Sequence, residues 1–160
     1  MANVSTWELE IESSIPASKV FSEFILKFFE FLDENVIPKE FGMKFTTLEG
    51  DGGVGSIKIM TFVDDQFPSV KYKVKGLDYE NFTYNLAMIK EGNEDGYEST
   101  LSEMKAVPSA NGGCTFKQKN IDFEAISEDE IETQKEQLTQ YFQVFEATIN
   151  QDFVQDSTDY

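Results

Sequence analysis

The chain has 160 residues and a formal charge of −17, from 30 acidic residues against 13 basic ones. Every base is lysine, so the chain lacks the guanidinium forks that grip phosphate and the imidazole that Ser-His-Asp, Cys-His and His-based ribonuclease chemistry requires. Nucleic acid and anionic membrane surfaces would be repelled, and one cysteine, Cys114, without histidine makes neither a disulfide nor an ordinary zinc site.

The length suits one domain over residues 1–160, able to bury enough surface to stand without a metal or a disulfide. No cofactor is expected. No run reaches 18 apolar residues, so no membrane span is expected. The opening Met-Ala-Asn-Val-Ser-Thr-Trp-Glu has neither a basic region nor an apolar core, so no secretory leader is expected. A lone thiol suits a reducing compartment, and the expected address is cytoplasmic. The glycosylation sequons at Asn3 and Asn81 are then expected to be inert.

Trp7, Leu9 and Ile11 alternate with Glu8, Glu10 and Glu12, which predicts a strand with one wet face. Ile15-Pro16 ends it, and Pro16 suits the first turn of a helix. Val20, Phe21, Phe24, Ile25, Phe28, Phe29 and Leu32 then recur at helical spacing, and Pro38 sets a boundary. One or two short helices are predicted between Ala17 and Ile37, with Phe31 off the main stripe. Plain packing and pocket contacts are both open to these aromatics.

From Met43 the period changes to two. Thr47 and Glu49 lead into Gly50-Asp51-Gly52-Gly53-Val54-Gly55, and Ser56 to Val63 reads as a strand. Val70, Tyr72 and Val74 alternate with Lys71, Lys73 and Lys75; Phe82, Tyr84, Leu86 and Met88 alternate with Thr83, Asn85 and Ala87. Leu101 to Val107 and Thr115 to Glu124 complete the strand-like runs. Turn signals at Asp64-Asp65, Gly92-Asn93, Asp95-Gly96 and Asn111-Gly112-Gly113 separate them.

Ser127 to Phe153 predicts the longest helix. Ser127 and Glu130 have capping-box spacing, and Glu128, Asp129 and Glu130 put negative charge where a helix N-terminus favours it. Ile131, Leu138, Phe142, Phe145, Ile149 and Phe153 mark one apolar face. Asp156 to Tyr160 reads as a frayed tail. Consecutive strands with short turns imply an antiparallel sheet, one face in water and the other against the long helix.

The glycine run does not match a Walker-type phosphate loop, because Ser56-Ile57-Lys58-Ile59 follows it and it enters a strand. A tight turn of positive φ is the simpler reading, and backbone N–H groups at a pocket mouth are the other. Glu49-Gly50-Asp51-Gly52-Gly53-Val54-Gly55-Ser56-Ile57-Lys58 closely resembles the signature loop of the birch-pollen-allergen (Bet v 1-like) family, the pathogenesis-related class-ten proteins of plants. Ile15-Pro16-Ala17, Asn81-Phe82-Thr83-Tyr84-Asn85 and Gly112-Gly113-Cys114 resemble the same pattern, in order and at matching spacing.

That resemblance implies an α+β helix-grip fold: a seven-stranded curved antiparallel sheet wrapped around a long C-terminal helix, with two short helices after the first strand. It implies binding, storage or transport of apolar plant molecules such as flavonoids, hormones or alkaloid-like compounds in a large internal cavity. The alternative is a small cofactor-independent enzyme of alkaloid metabolism, condensing, cyclising or isomerising its substrate. By the same resemblance, Phe24, Met60, Phe62, Tyr72, Tyr84, Leu86, Met88, Ser102 and Met104 would face inward. Phe116, Gln118 and Asn120 would join them from the last strand, Leu138, Tyr141 and Phe142 from the helix, and Lys58 at the rim.

Leu138 stands where many members have glycine, which would narrow the cavity, and the stretch between Ile25 and Met43 is longer and richer in phenylalanine than usual. The tip Asp64–Phe67 and the turn before Asn81 also differ in length. For the enzyme reading the candidates are Lys117 or Lys119 as base, with Tyr84 and Tyr141 orienting the substrate. Which lysine faces inward depends on strand register, since a slip of one residue flips every side chain. The acidic charge favours an apolar or cationic guest over an anion. Family habit implies a monomer or weak dimer.

Overall fold

A computed structural model describes residues 4–63, 69–89 and 98–158, and their side chains except at 41 and 151–158. The expected turns at Asp64-Asp65, Gly92-Asn93 and Asp95-Gly96, and the tip Asp64–Phe67, lie outside the described residues. Seven strands form one antiparallel sheet: β1 (Ser5–Ser13), β2 (Lys44–Glu49), β3 (Ile57–Thr61), β4 (Val70–Asp78), β5 (Thr83–Ile89), β6 (Glu98–Pro108) and β7 (Cys114–Asp122). Their order across the sheet is β1-β7-β6-β5-β4-β3-β2, so every pair except β1 with β7 is a sequence neighbour.

Between β1 and β2 the chain crosses one end of the sheet. Helix α1 (Ala17–Val20) runs into a wider turn over Phe21–Ile25, where Leu26 N–H donates to Phe21 O at 2.9 Å. Helix α2 (Phe28–Asn35) follows after a break at Lys27, whose φ of −111° is not helical. The wide turn buries Phe21, Phe24 and Ile25 together, on one side of the segment.

Helix α3 (Glu128–Thr158) spans 31 residues, about 46 Å at 1.5 Å per residue. The Ser127 hydroxyl accepts the Glu130 N–H at 3.1 Å, which caps its first turn. Leu138, Phe142 and Phe145 are buried against the sheet, while Val144 on the far side is exposed. The helix continues past the end expected at Phe153, to Thr158. No glycine or proline follows Phe153 to stop it.

The glycine run closes on itself. Gly50, Gly52 and Gly55 have φ of 89°, 99° and 91°, a region that L side chains avoid. The buried Ser56 hydroxyl accepts the Gly52 N–H at 2.8 Å, and Gly55 and Val74 donate to Val74 O and Ser56 O across to β4. A Cβ on Gly50 would collide with Ser56, so position 50 has room only for glycine.

Candidate functional site

Register decides which side chains reach the interior. Trp7 pairs with Asn120, Leu9 with Gln118 and Ile11 with Phe116, and on the other side of β7 Ser102, Met104 and Ala106 pair with the same three. Neither ladder of β7 has a bulge, so Phe116, Gln118 and Asn120 face α3 and Lys117 and Lys119 face away. Lys117 Nζ lies 3.4 Å from Glu10 Oε1 and Lys119 Nζ 3.9 Å from Glu8 Oε1 on the outer face. The expectation of a cavity base from this strand is corrected accordingly: unbroken alternation turns both lysines to solvent.

Among the described residues the interior shows a packed end and two adjoining compartments. At one end Phe24 packs against the rings of Phe28, Phe31, Phe116, Phe142 and Phe145, with centroids 5.1 to 5.6 Å away. Phe116 stacks on Phe142 at 5.3 Å. Phe24, Phe116 and Phe142 were expected as ligand contacts; they face inward but fill the space with one another. Met60 is buried and Phe62 half-buried in the same core, and neither lines the two compartments described next.

The outer compartment, about 220 Å³, lies between the break after Ile25 and strands β2 to β5. Lys58, Tyr72, Tyr84 and Leu86 line it, together with Lys27, Glu30, Phe45 and Thr47, which sequence reasoning missed. Lys58 is directly opposite Tyr72 across the ladder. Burial pushes the Tyr72 phenol well above its usual value, and the charges of Tyr84 and Glu30 add to it. Burial also raises Tyr84, helped by Tyr79. Both phenols are therefore neutral hydrogen-bonding groups at ordinary pH, not phenolate bases.

The inner compartment, about 190 Å³, lies beneath α3 and opens to solvent beside exposed Gln137. Leu86, Met88, Ser102, Met104, Gln118, Asn120, Leu138 and Tyr141 line it. Trp7, Gln134 and Gln137 complete the wall and were missed, with Phe28 and Phe29, for which packing and pocket contacts had both been open. Two signals pointed to them: Trp7 shares its alternation with Leu9 and Ile11, and 134, 137, 138 and 141 share one helical stripe. No acidic or basic side chain lines this compartment. Gln118 Nε2 donates to Asn120 Oδ1 at 2.5 Å. Among the described residues two buried side-chain polar atoms lack a partner, Trp7 Nε1 and Asp122 Oδ2. Only Trp7 belongs to either compartment; an unmet buried N–H of this kind costs about 1–3 kcal/mol.

Phe28, Phe29 and Leu86 contribute to both compartments and form the wall between them. Phe29 lies tilted over Tyr72 at 4.7 Å, and Phe28 approaches Tyr141 at 6.4 Å. The phenylalanine-rich segment thus borders both spaces. The glycine run lines neither compartment.

Buried Cys114 has its thiol raised by desolvation and by Glu146, so it is held in the unreactive protonated form. Among the described residues no helix is long and apolar enough to cross a membrane.

Comparison with known proteins agrees with this architecture. The crystal structure of Ara h 8.0201 superposes with a TM-score of 0.72 over 92% of this chain and 99% of that one, at 21% identity. Norcoclaurine synthase from Thalictrum flavum, in complex with dopamine and hydroxybenzaldehyde, superposes with a TM-score of 0.52 at 26% identity, covering 74% of this chain and 68% of that one. The major strawberry allergen Fra a 1-2 of Fragaria ananassa is 36% identical over 153 residues, 89% of this chain and 92% of the relative. The family model described as "Pathogenesis-related protein Bet v 1 family" matches residues 2–155. The chain belongs to the pathogenesis-related Bet v 1 family, with its seven-stranded sheet gripping a long C-terminal helix.

Proposed function

We propose that this protein is a non-catalytic carrier or reservoir of small, largely apolar plant molecules, held between the sheet and α3. The observation that carries the reading is the inner compartment, walled by apolar and amide side chains with no charged group in its lining. Such a space welcomes a ring compound and offers no general base to transform it. The guest classes in view are flavonoid, hormone or alkaloid-like molecules of two or three rings, since 190 Å³ is small for a steroid. The net charge of −17 would concentrate cationic amines around the molecule as a whole, and salt would weaken that effect. The cytosol, and a monomeric or weakly dimeric state, belong to the same reading.

Native mass spectrometry of protein taken from its own tissue tests it. A retained small molecule supports the carrier reading and names its class. Protein that arrives empty, and that gives no fluorescence enhancement with 8-anilinonaphthalene-1-sulfonate or its uncharged analogue N-phenyl-1-naphthylamine, overturns it.

A second reading, an alkaloid-type enzyme, draws on one observation: Lys58 lines the outer compartment opposite Tyr72. Dopamine supplied with aryl and arylacetic aldehydes tests it. Turnover lost in Lys58→Met would favour the enzyme; no product above the uncatalysed background leaves the carrier.

A further inference from the structure

The turn between β6 and β7 carries chemistry that neither compartment uses. Asn111-Gly112 is the one Asn-Gly dipeptide of the chain, and both residues are exposed. Gly112 has a φ of 92°, and a Cβ there would meet nothing within 4 Å. A glycine nitrogen is the least hindered backbone nucleophile that a neighbouring carboxamide can meet. Asn111 Oδ1 accepts the Gly113 N–H at 3.0 Å, a donor placed where negative charge gathers when the carboxamide carbon is attacked. Against this, the Gly112 N–H donates to Ser109 O at 3.1 Å and must come free first. At an exposed hairpin tip such local opening costs little.

Behind the tip the packing is tight. Gly113 is buried, a Cβ on it would collide with Ser13 O, and Cys114 beside it is fully buried. The Ser109 N–H closes the turn on Gly113 O at 2.9 Å.

We propose that Asn111 is a site of spontaneous deamidation, and that isoaspartate formed there releases the turn from Ser13 and uncovers Cys114. The Gly112 nitrogen bonds to Asn111 Cγ, its proton leaves with the amide as ammonia, and a succinimide ring results. Water then opens the ring at either carbonyl, to aspartate or to isoaspartate. Aspartate keeps the main chain and an acceptor for the Gly113 N–H, so the turn holds. Isoaspartate puts one more carbon into the main chain just before Gly113, which has no room to shift toward Ser13. Neither step depends on a guest in the compartments.

Ageing the unaltered chain at neutral pH, followed by tryptic mapping, tests both steps. Peptide 106–117 holds Asn111 and Cys114. It is expected to gain one dalton at least tenfold faster than a peptide holding any other asparagine, and to accept methyl groups from protein isoaspartyl methyltransferase. The added dalton separates it from isomerisation at Asp51-Gly52, which leaves the mass unchanged. In the aged isoaspartyl fraction Cys114 is expected to react with dithiobis-nitrobenzoate at least tenfold faster than in fresh protein. Asn111→Asp adds the charge without lengthening the chain, and its thiol is expected to stay as slow as in fresh protein. Asn111→Gln aged in parallel is expected to stay slow too.

A folded chain whose peptide 106–117 keeps its mass, over a period in which the urea-unfolded chain converts, would overturn the inference, because the turn then protects Asn111. So would isoaspartate at this position beside a thiol as slow as in fresh protein, or a thiol equally fast in Asn111→Asp.

Discussion

The two ends of the interior lie under the same helix and are built differently. Around Phe24 the rings of Phe31, Phe116, Phe142 and Phe145 meet edge to face, tilted or stacked and fill the space with one another. Beneath Leu138 and Tyr141 the facing residues are Ser102, Gln118 and Asn120, which are shorter or prefer partners of their own. Aromatic rings interdigitate to interior density, whereas amides and hydroxyls stop where their hydrogen bonds are met. One end supplies stability and the other supplies space, and α3 is the rigid element that spans both.

Substitutions can break that division. Phe24→Ala removes the centre of the closed end and is expected to cost about 4 kcal/mol, read as a lower urea midpoint. Leu138→Ala is expected to cost about 2 kcal/mol, because its site already borders a hollow, and to admit guests one ring larger. If both cost the same, the two ends are packed alike and the contrast fails.

Tyr72 tests the outer compartment. Its folded-state value lies above the ordinary 10.0, so its contribution is complete below about pH 10 and declines as pH rises. Stability should fall by at most about 1.4 kcal/mol per pH unit above that point, and Tyr72→Phe should abolish that part of the slope. Ser127→Ala loosens the helix common to both ends and should cost about 1 kcal/mol with guest affinity unchanged. Lys117→Met and Lys119→Met should each shift stability by less than about 0.5 kcal/mol and leave binding untouched, as exposed pairs on the outer face.

Much of the architecture was legible from periodicity. Val70, Tyr72 and Val74 against Lys71, Lys73 and Lys75 could only be a half-buried strand, and Ser127 with Glu130 marked the start of the long helix. The inward set came from the family resemblance, and the strand register agrees with it at Phe116, Gln118 and Asn120. What alternation does not carry is the distance between two elements. Phe24 and Phe142 both point inward, yet only their 5.2 Å separation shows that they fill the space between them. The division by Phe28 and Phe29 depends on the break at Lys27, which no proline or glycine announces. The lysine register stayed open because a single bulge near Asn120 would have reversed it. Trp7 reads in one dimension as an ordinary core residue; its solitary N–H is visible only in three.

The pairing of β1 with β7 has a consequence for how this protein is made. Ser5 bonds to Ile126, 121 residues further along the chain. On the ribosome the first strand therefore waits, with its backbone groups in water, until almost everything else has emerged. During that wait the open edge of β6 is equally bare, and the charges of Glu8, Glu10 and Glu12 are of the kind that disfavours the addition of a foreign strand to β1.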